Sequence, residues 1–524
     1  MPLKLTRRSF VLSSTASGLV AASGLAMPAI SRAQSRPIVT HGLQSGDVDA
    51  NSGMIWARAD RPSRMIVEVA TSDTFRDSVR LSPTDALPEN DFAAKRLLDS
   101  LPSDQDIFYR VSFADLDDVN GISEPVVGHF RTAPASRRSV KLVWSGDTAG
   151  QGWGIDESRG GMSTYATMLR HEPDFFLHSG DTVYSDGPIA AEKEMPNGEI
   201  WRSIVAEGVE KVAETLDEFR GRFKYNMLDA HVRALNAAVP TIYQWDDHEV
   251  LNNWSASKDL GADDRYTVKS VPLLAARAGR AFHEMTPIRY TPAEPGRVYR
   301  KIGYGPLLDV FVIDLRSYRG PNDANVEPTL APEDRILGTA QIRWLQQALL
   351  ESRATWKVIA SDMPIGLIVW NDSQGKAGSE AIANAENGPA LGRELELADL
   401  LRFIKSAQIQ NVVWLTADVH YTAAHYYDPS KAAFQDFEPF WEFVSGPLHA
   451  GTFGPGELDM TFGPEAKYVK APAEGQEQNK PPSEGLQFFG VVEIDGQTEA
   501  MTVRLMDRAD TELFRQTLEP KRVG

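Results

Sequence analysis

Three short clusters in this 524-residue chain bring together the residue types that bind cations and move protons. The first is Gly180-Asp181-Thr182-Val183-Tyr184. The second is Asp246-Asp247-His248-Glu249, with Asn252 and Asn253 close behind it. The third is Asp418-Val419-His420. A carboxylate has two oxygens and can bridge two cations, so Asp181 suits a paired site. A phenolate such as that of Tyr184 is a hard anionic ligand and suits a trivalent metal such as Fe(III). In the second cluster, aromatic and apolar neighbours (Tyr243, Trp245, Val250, Leu251, Trp254) flank four ionisable groups. Such a setting marks a site rather than a solvated surface run. In the third, an extended backbone puts Asp418 and His420 on one side, facing a shared metal pair. Each cluster alone has a plainer reading, as a turn acid, a charged surface or a core histidine.

Short apolar runs precede these clusters, and three more such runs occur elsewhere. Val140–Trp144 leads to Ser145-Gly146-Asp147, Phe175–Leu177 to Gly180-Asp181, and Ile242–Trp245 to Asp246. Val310–Ile313 leads to Asp314-Leu315-Arg316, Val358–Ala360 to Ser361-Asp362, and Val412–Thr416 to Ala417-Asp418. Buried strands that stop at oxygen and imidazole ligands are what a metal site at the strand ends of an α/β fold needs. A series converging on one edge points to a hydrolase with more than one metal. Asp314 reads as structural. Arg316 and His449 are candidate phosphate contacts, set against ordinary surface or core roles.

The chain divides into unlike parts. Residues 37–135 carry short strand patterns separated by Gly, Asn, Asp and Pro, including Met54–Arg58, Met65–Val69 and Phe108–Phe113. An all-β sandwich of about 100 residues fits them. Thr132 to Ser136 reads as a linker. From residue 139 to about 515, apolar strands alternate with helical stretches, Glu207–Met227 and Thr339–Arg353 among them. In the latter, Ile342, Leu345, Ala348 and Leu349 share one face. The expected fold is multi-domain: an N-terminal sandwich, then an α/β domain of two packed sheets flanked by helices.

Residues 1–33 read as an export signal. Thr6-Arg7-Arg8-Ser9-Phe10-Val11-Leu12 has the twin-arginine form, a moderately apolar stretch follows, and Ser31-Arg32-Ala33 offers a cleavage site. The apolar stretch is interrupted by Ser, Thr and Gly, so a membrane anchor in the mature chain is not expected. The expected location is periplasmic or secreted, with the twin-arginine machinery as partner. There is no cysteine, which excludes disulfides, thiolate ligands and a thiol nucleophile. The net charge of −18 repels nucleic-acid backbone, so nucleic-acid binding is not expected.

The ordered set Gly-Asp-x-x-Tyr, Asp-Asp-His-Glu and Asp-x-His resembles the calcineurin-like metallophosphoesterases, and more narrowly the PhoD-type alkaline phosphatases. Leu337-Gly338-x-x-Gln341-x-x-Trp344-Leu345 and Val444-Ser445-Gly446-Pro447 belong to the same resemblance, which spans nearly the whole chain after residue 33. It implies Asp181 as a bridging carboxylate, Tyr184 as a ligand to Fe(III), and Asp418 and His420 as further ligands. It places Asp247 at a ligand position and His248 next to the reacting phosphate, with Asn252 or Asn253 within reach. Fe(III) and Ca(II) are the cofactors it implies, other divalent metals being an alternative. Two positions depart from the pattern. PhoD-type enzymes typically place a Cys after the first strand, where this chain has Gly146-Asp147; Asp147 is read as its replacement. Asp362 stands where the wider superfamily often has a His, and is read as a weaker ligand.

The activity that follows is metal-dependent phosphoester hydrolysis of monoesters, diesters or both, with a metal-bound hydroxide as nucleophile and the leaving alkoxide protonated by His248 or stabilised by metal. The substrate expected is a phosphoester small molecule or a lipid- or teichoic-type phosphodiester. A phospholipase D-like phosphodiesterase shares the same site. A non-catalytic extracellular binding protein is the alternative from another class, and it would not need a complete ligand set.

Overall fold

The computed structural model describes residues 36–118, 120–473 and 475–522. The twin-arginine segment lies outside the described residues. Among the described residues, no helix is long and apolar enough to cross a membrane.

All six apolar runs belong to β-strands, and they fall into two sets of three. Val140–Ser145, Phe175–Ser179 and Thr241–Gln244 lie side by side and parallel in a nine-stranded sheet. Leu308–Val312, Trp356–Ala360 and Val412–Thr416 do the same in a seven-stranded sheet. Parallel strands present all their C-terminal ends at one edge, so each sheet delivers three acid-bearing loops to the same side. The sheets pack face to face. Leu142, Trp144, Leu177 and Ile242 from one meet Val310, Val358, Ala360 and Leu415 from the other in one buried cluster. Their near-continuous apolar runs are what strands covered on both faces require. Each fully buried Leu, Ile or Val contributes about 1.5–3 kcal/mol.

Helices cover the outer faces. Gly338–Glu351 buries Ile342, Leu345 and Leu349 of the expected face, with Ala348 partly buried, and adds Gln341. Gln341 is polar and fully buried because its amide spans Asp314: its oxygen accepts from Asp314 N and its Nε2 donates to Asp314 O, both at 2.8 Å. The region 207–227 is helical only over Leu216–Asn226. Thr215 starts that helix with a capping box shared with Glu218, a signal worth about 1 kcal/mol that outweighs the apolar spacing before it.

The N-terminal region is β-rich, but it does not stand apart. Ser63–Ala70, Asp106–Asp115 and Val126–Arg131 form a small sheet with short edge strands. Along Asp106–Asp115, Ile107, Tyr109, Val111 and Phe113 face inward on alternate residues. They pack against Ile55 and Ala57 of the opposite layer. That layer, Val39–Gly46, Gly53–Ala59 and Ala93–Leu98, is the end of the nine-stranded sheet. Gly46 pairs in parallel with Thr241. A side chain there would put Cβ 2.5 Å from the Thr241 carbonyl oxygen, so only glycine permits this join. The nine-stranded sheet therefore takes strands from both sides of residue 135.

Candidate metal centre

The two edges bring Asp147, Asp181, Asp246, Asp247, His248, Asp418 and His420 together. Three overlapping groups place one ligand atom per residue within 4.8 Å of one another: Asp147, Asp181 and His420; Asp181, Asp247 and His248; and Asp246, Asp247 and Asp418. Asp181 joins the first group to the second, and Asp247 joins the second to the third. Carboxylates shared between groups are the arrangement a multi-cation site uses.

The loops are bent to achieve this. Asp147, Asp181, Asp418 and His420 have φ of 66°, 50°, 66° and 59°. Left-handed backbone at non-glycine residues costs about 1–3 kcal/mol each and is kept where a site needs it. Asp418 and His420 thus lie on a tight turn after Val412–Thr416, not on an extended strand. The expected extended backbone is replaced by this turn, and the two residues fall in different groups while lining the same cleft. Glu249 ties two loops from below. Its Oε1 accepts from Thr182 N at 2.6 Å and its Oε2 from Asp246 N at 2.8 Å.

The electrostatics call for cations. Asp147 Oδ2, Asp181 Oδ2, Asp246 Oδ2 and Asp247 Oδ1 are buried with no hydrogen-bond donor. Burial, followed by the charge of Asp246, holds the Asp147 carboxyl well above the usual carboxylate range. Burial, followed by Asp246 and Asp247, does the same to Asp418. Asp181 is also raised, by burial and by Asp247 and Asp246, against the pull of His248. Anionic oxygens gathered without donors are costly in a low-dielectric interior, and bound metal ions are the natural compensation. The donor set fits them. Asp147 is especially confined: a Cβ on Gly446 would sit 2.2 Å from its Oδ2.

The imidazoles are set for different tasks. His420 Nδ1 hydrogen-bonds the Gly451 carbonyl, which can only accept, so Nε2 carries the lone pair. That nitrogen is 2.9 Å from the Tyr184 hydroxyl and 3.6 Å from Asp147 Oδ1. Burial lowers the His420 pKa to about 4, which keeps it neutral and able to ligate. His248 differs. Its Nδ1 is 2.7 Å from Asp186 Oδ1, and its Nε2 faces Asp247 Oδ1 at 3.9 Å. Burial lowers its pKa, but Asp186, Asp247 and Asp181 outweigh that and hold it well above the usual histidine value. A protonated imidazole suits proton donation.

Tyr184 packs its ring 4.2 Å from that of His248. Its hydroxyl is 3.5 Å from Asp147 Oδ1. Burial, then Asp181 and Asp147, push its pKa well up in the cation-free chain. The group opens onto a cleft of about 630 Å³ lined by Tyr184, Asp247, His248, Asn252, Asn253, Asp418 and His420.

Three expected contacts are placed differently. The Arg316 side chain is 0% exposed. Its Nε donates to Asp246 Oδ1 at 2.6 Å and its Nη1 to Glu380. It is a buried counter-ion and does not reach the cleft to hold phosphate. His449 is buried too, with Nε2 3.0 Å from the Gly154 carbonyl. Its backbone does the positioning, donating to Asp147 O at 3.0 Å and accepting from Ala149 N at 2.7 Å. Asp362 falls outside the three groups and stands 3.5 Å from Arg316 Nε. Asn252 is exposed at the cleft, and its backbone N–H donates to Asp186 Oδ2 at 2.8 Å. Asp246, read only as part of its cluster, joins the ligand groups, and Asp186 and Arg265, which both line the cleft, are additions. Asp186 lies in the same loop as Asp181, which is the only hint of it in the chain.

A sequence model described as PhoD-like phosphatase matches residues 142–505. A second, the N-terminal domain of PhoD-like phosphatases, matches residues 24–134. Alkaline phosphatase D of Bacillus subtilis (strain 168) is 28% identical over 401 residues, 73% of this chain. The match spans 64% of that relative's length. A solved structure of PhoD superposes with a TM-score of 0.65 at 22% identity, covering 91% of this chain and 88% of its own. A purple acid phosphatase from yellow lupin (Lupinus luteus) seeds gives 0.53 at 11% identity, covering 92% and 74%. At these identities the structural likeness speaks to fold alone.

Proposed function

The chain belongs to the PhoD-like phosphatase family, and on that premise we propose that it hydrolyses phosphoesters, monoesters, diesters or both, at a centre of several metal ions. The observation that carries the reading is the convergence of donor-less buried carboxylate oxygens at the edge of the nine-stranded sheet with Asp418 and His420 from the other sheet, beside His248 on an open cleft. The relative named alkaline phosphatase D supports the same chemistry.

Asp147, Asp181 and His420 would hold one cation, with Tyr184 adjacent as the phenolate ligand for Fe(III). Asp247, Asp418 and Asp246 would hold divalent ions such as Ca(II), sharing Asp181 and Asp247 with the rest. When bound, such ions polarise a phosphoryl oxygen and lower the pKa of water. The chain's own residues supply the remainder. His248, oriented through Nδ1 by Asp186, presents Nε2 to the cleft and gives its proton to the leaving alkoxide. Arg316, with Glu380 and Asp246, keeps one ligand carboxylate fixed from behind. His420, fastened through Nδ1, keeps its lone pair aimed at the site.

The test is turnover of p-nitrophenyl phosphate and its bis ester before and after thorough chelation, with metal analysis of the isolated protein. Activity should vanish on chelation and return with metal. Iron-loaded protein should show a visible phenolate-to-iron band that Tyr184→Phe abolishes. Full activity after complete metal removal rejects the reading. A colourless, iron-free and fully active protein rejects Fe(III) at Tyr184.

A further inference from the structure

Two banks of unlike chemistry border the cleft. One is polar: Asp186, His248, Asn252 and Arg265. The other is an apolar wall of Leu367, Ile368, Val369, Val419, Tyr421 and Phe453. The wall is built, not incidental. Leu367 bridges to Leu458 in antiparallel fashion, Ile368 N donates to Glu457 O at 2.9 Å, and Asp459 N donates to Gly366 O at 2.8 Å. Leu367 and Tyr421 are buried in a small core of their own, with Val369, Val419 and Leu458 packed against it. Ile368, Val369, Val419 and Phe453 are left partly open to the cleft. Gly454 lets the chain cross Tyr421 at close range, since a Cβ there would lie 2.6 Å from the ring. Phe453 packs edge-on to His420, ring centroids 5.3 Å apart, so the wall begins where the candidate ligands end.

Such a wall cannot hold phosphate oxygens. Its only side-chain hydroxyl, on Tyr421, sits 3.4 Å from the Gly456 N–H. Phosphate must therefore lie toward the acids and their cations, and whatever is esterified to it is left against the apolar side. Apolar surface kept open beside a charged site costs free energy that only a hydrophobic occupant recovers. We propose that the wall formed by Ile368, Val369, Val419 and Phe453 selects phosphoesters of apolar alcohols, aryl or alkyl, over those of polyols. This deepens the phosphoesterase reading and rests on it.

The proposal is tested on the metal-replete protein with 1-naphthyl phosphate, hexyl phosphate and glycerol phosphate. The expected kcat/KM favours the first two by roughly ten-fold or more. Ile368→Ser and Val369→Ser should erase most of that preference by raising KM for 1-naphthyl and hexyl phosphate, and Ile368→Leu should retain the preference. Naphthyl against hexyl phosphate separates an aromatic slot from a general apolar one. Binding is read separately by calorimetry with 1-naphthylmethylphosphonate against methylphosphonate. Equal affinities, or a preference unmoved by both serine variants, overturn the wall assignment. Discrimination in binding without turnover of any ester overturns the phosphoesterase reading and leaves the wall standing.

Discussion

In the proposed mechanism, proton transfer depends on the pair Asp186 and His248. Their 2.7 Å contact fixes the ring through Nδ1 and leaves Nε2 toward the cleft. The pair is mutually reinforcing. Burial raises the Asp186 pKa, but His248 and the Asn252 N–H outweigh it and hold the carboxyl below its usual value. Replacing Asp186 by Asn keeps the shape and removes the charge. Asp186→Asn should lower kcat by roughly 10- to 100-fold with a smaller effect on KM. It should also shift the alkaline limb of the kcat profile to lower pH, because the imidazolium loses its main stabilising charge. An unchanged pH profile would show that Asp186 only packs against the ring.

The strand-end loops do the positioning. The strands are buried and regular, and the turns that carry Asp147, Asp181, and Asp418 with His420 then enter a left-handed conformation. Glu249 opposes that strain by engaging the N–H groups of Thr182 and Asp246, which belong to two different turns. Burial lifts its pKa to about 7, with the two N–H bonds opposing the lift. Glu249→Ala orphans both donors in a place water does not reach, at about 1–3 kcal/mol for each. The expected outcome is a lower melting temperature together with reduced metal content, measured by denaturation and elemental analysis. A melting temperature within error of the parent would show that the loops hold themselves.

Across the molecule, the metal ions would act as staples between the two sheets, because the ligand groups draw from both. Chelation should therefore lower the melting temperature as well as activity. The loss has a pH dependence whose sign follows from the buried acids. Unfolded Asp titrates near 3.8, whereas Asp147 and Asp418 in the cation-free fold hold their protons to higher pH. Above about pH 4 the native state then binds more protons than the unfolded state, so metal-free stability falls as pH rises. Cations displace those protons and remove the slope. Melting curves at pH of about 5, 7 and 9, with and without chelator, should diverge as pH increases. A chelated protein that gains stability from about pH 5 to 7 would contradict this.

The apolar runs and the residues that follow them were legible along the chain, since a strand covered on both faces must be continuously apolar and a ligand must be an acid, imidazole or phenol. That suffices for the strand-end site, for Asp181, Asp247 and His420 as candidates, and for the helix over Gly338–Glu351. The reading fails where contact partners come from far away. Arg316 looks like a phosphate ligand until Asp246 and Glu380, 70 and 64 residues distant, claim its guanidinium. Asp186 carries no signal of its own in the chain, and its part depends on His248, 62 residues distant. The N-terminal sheet reads as a separate layer until Gly46 meets Thr241. Residue type and local spacing decide which chemistry is available. Only the packing of the two sheets decides which groups share a charge, because electrostatic pairing in a buried site depends on distance in space and not on order along the chain.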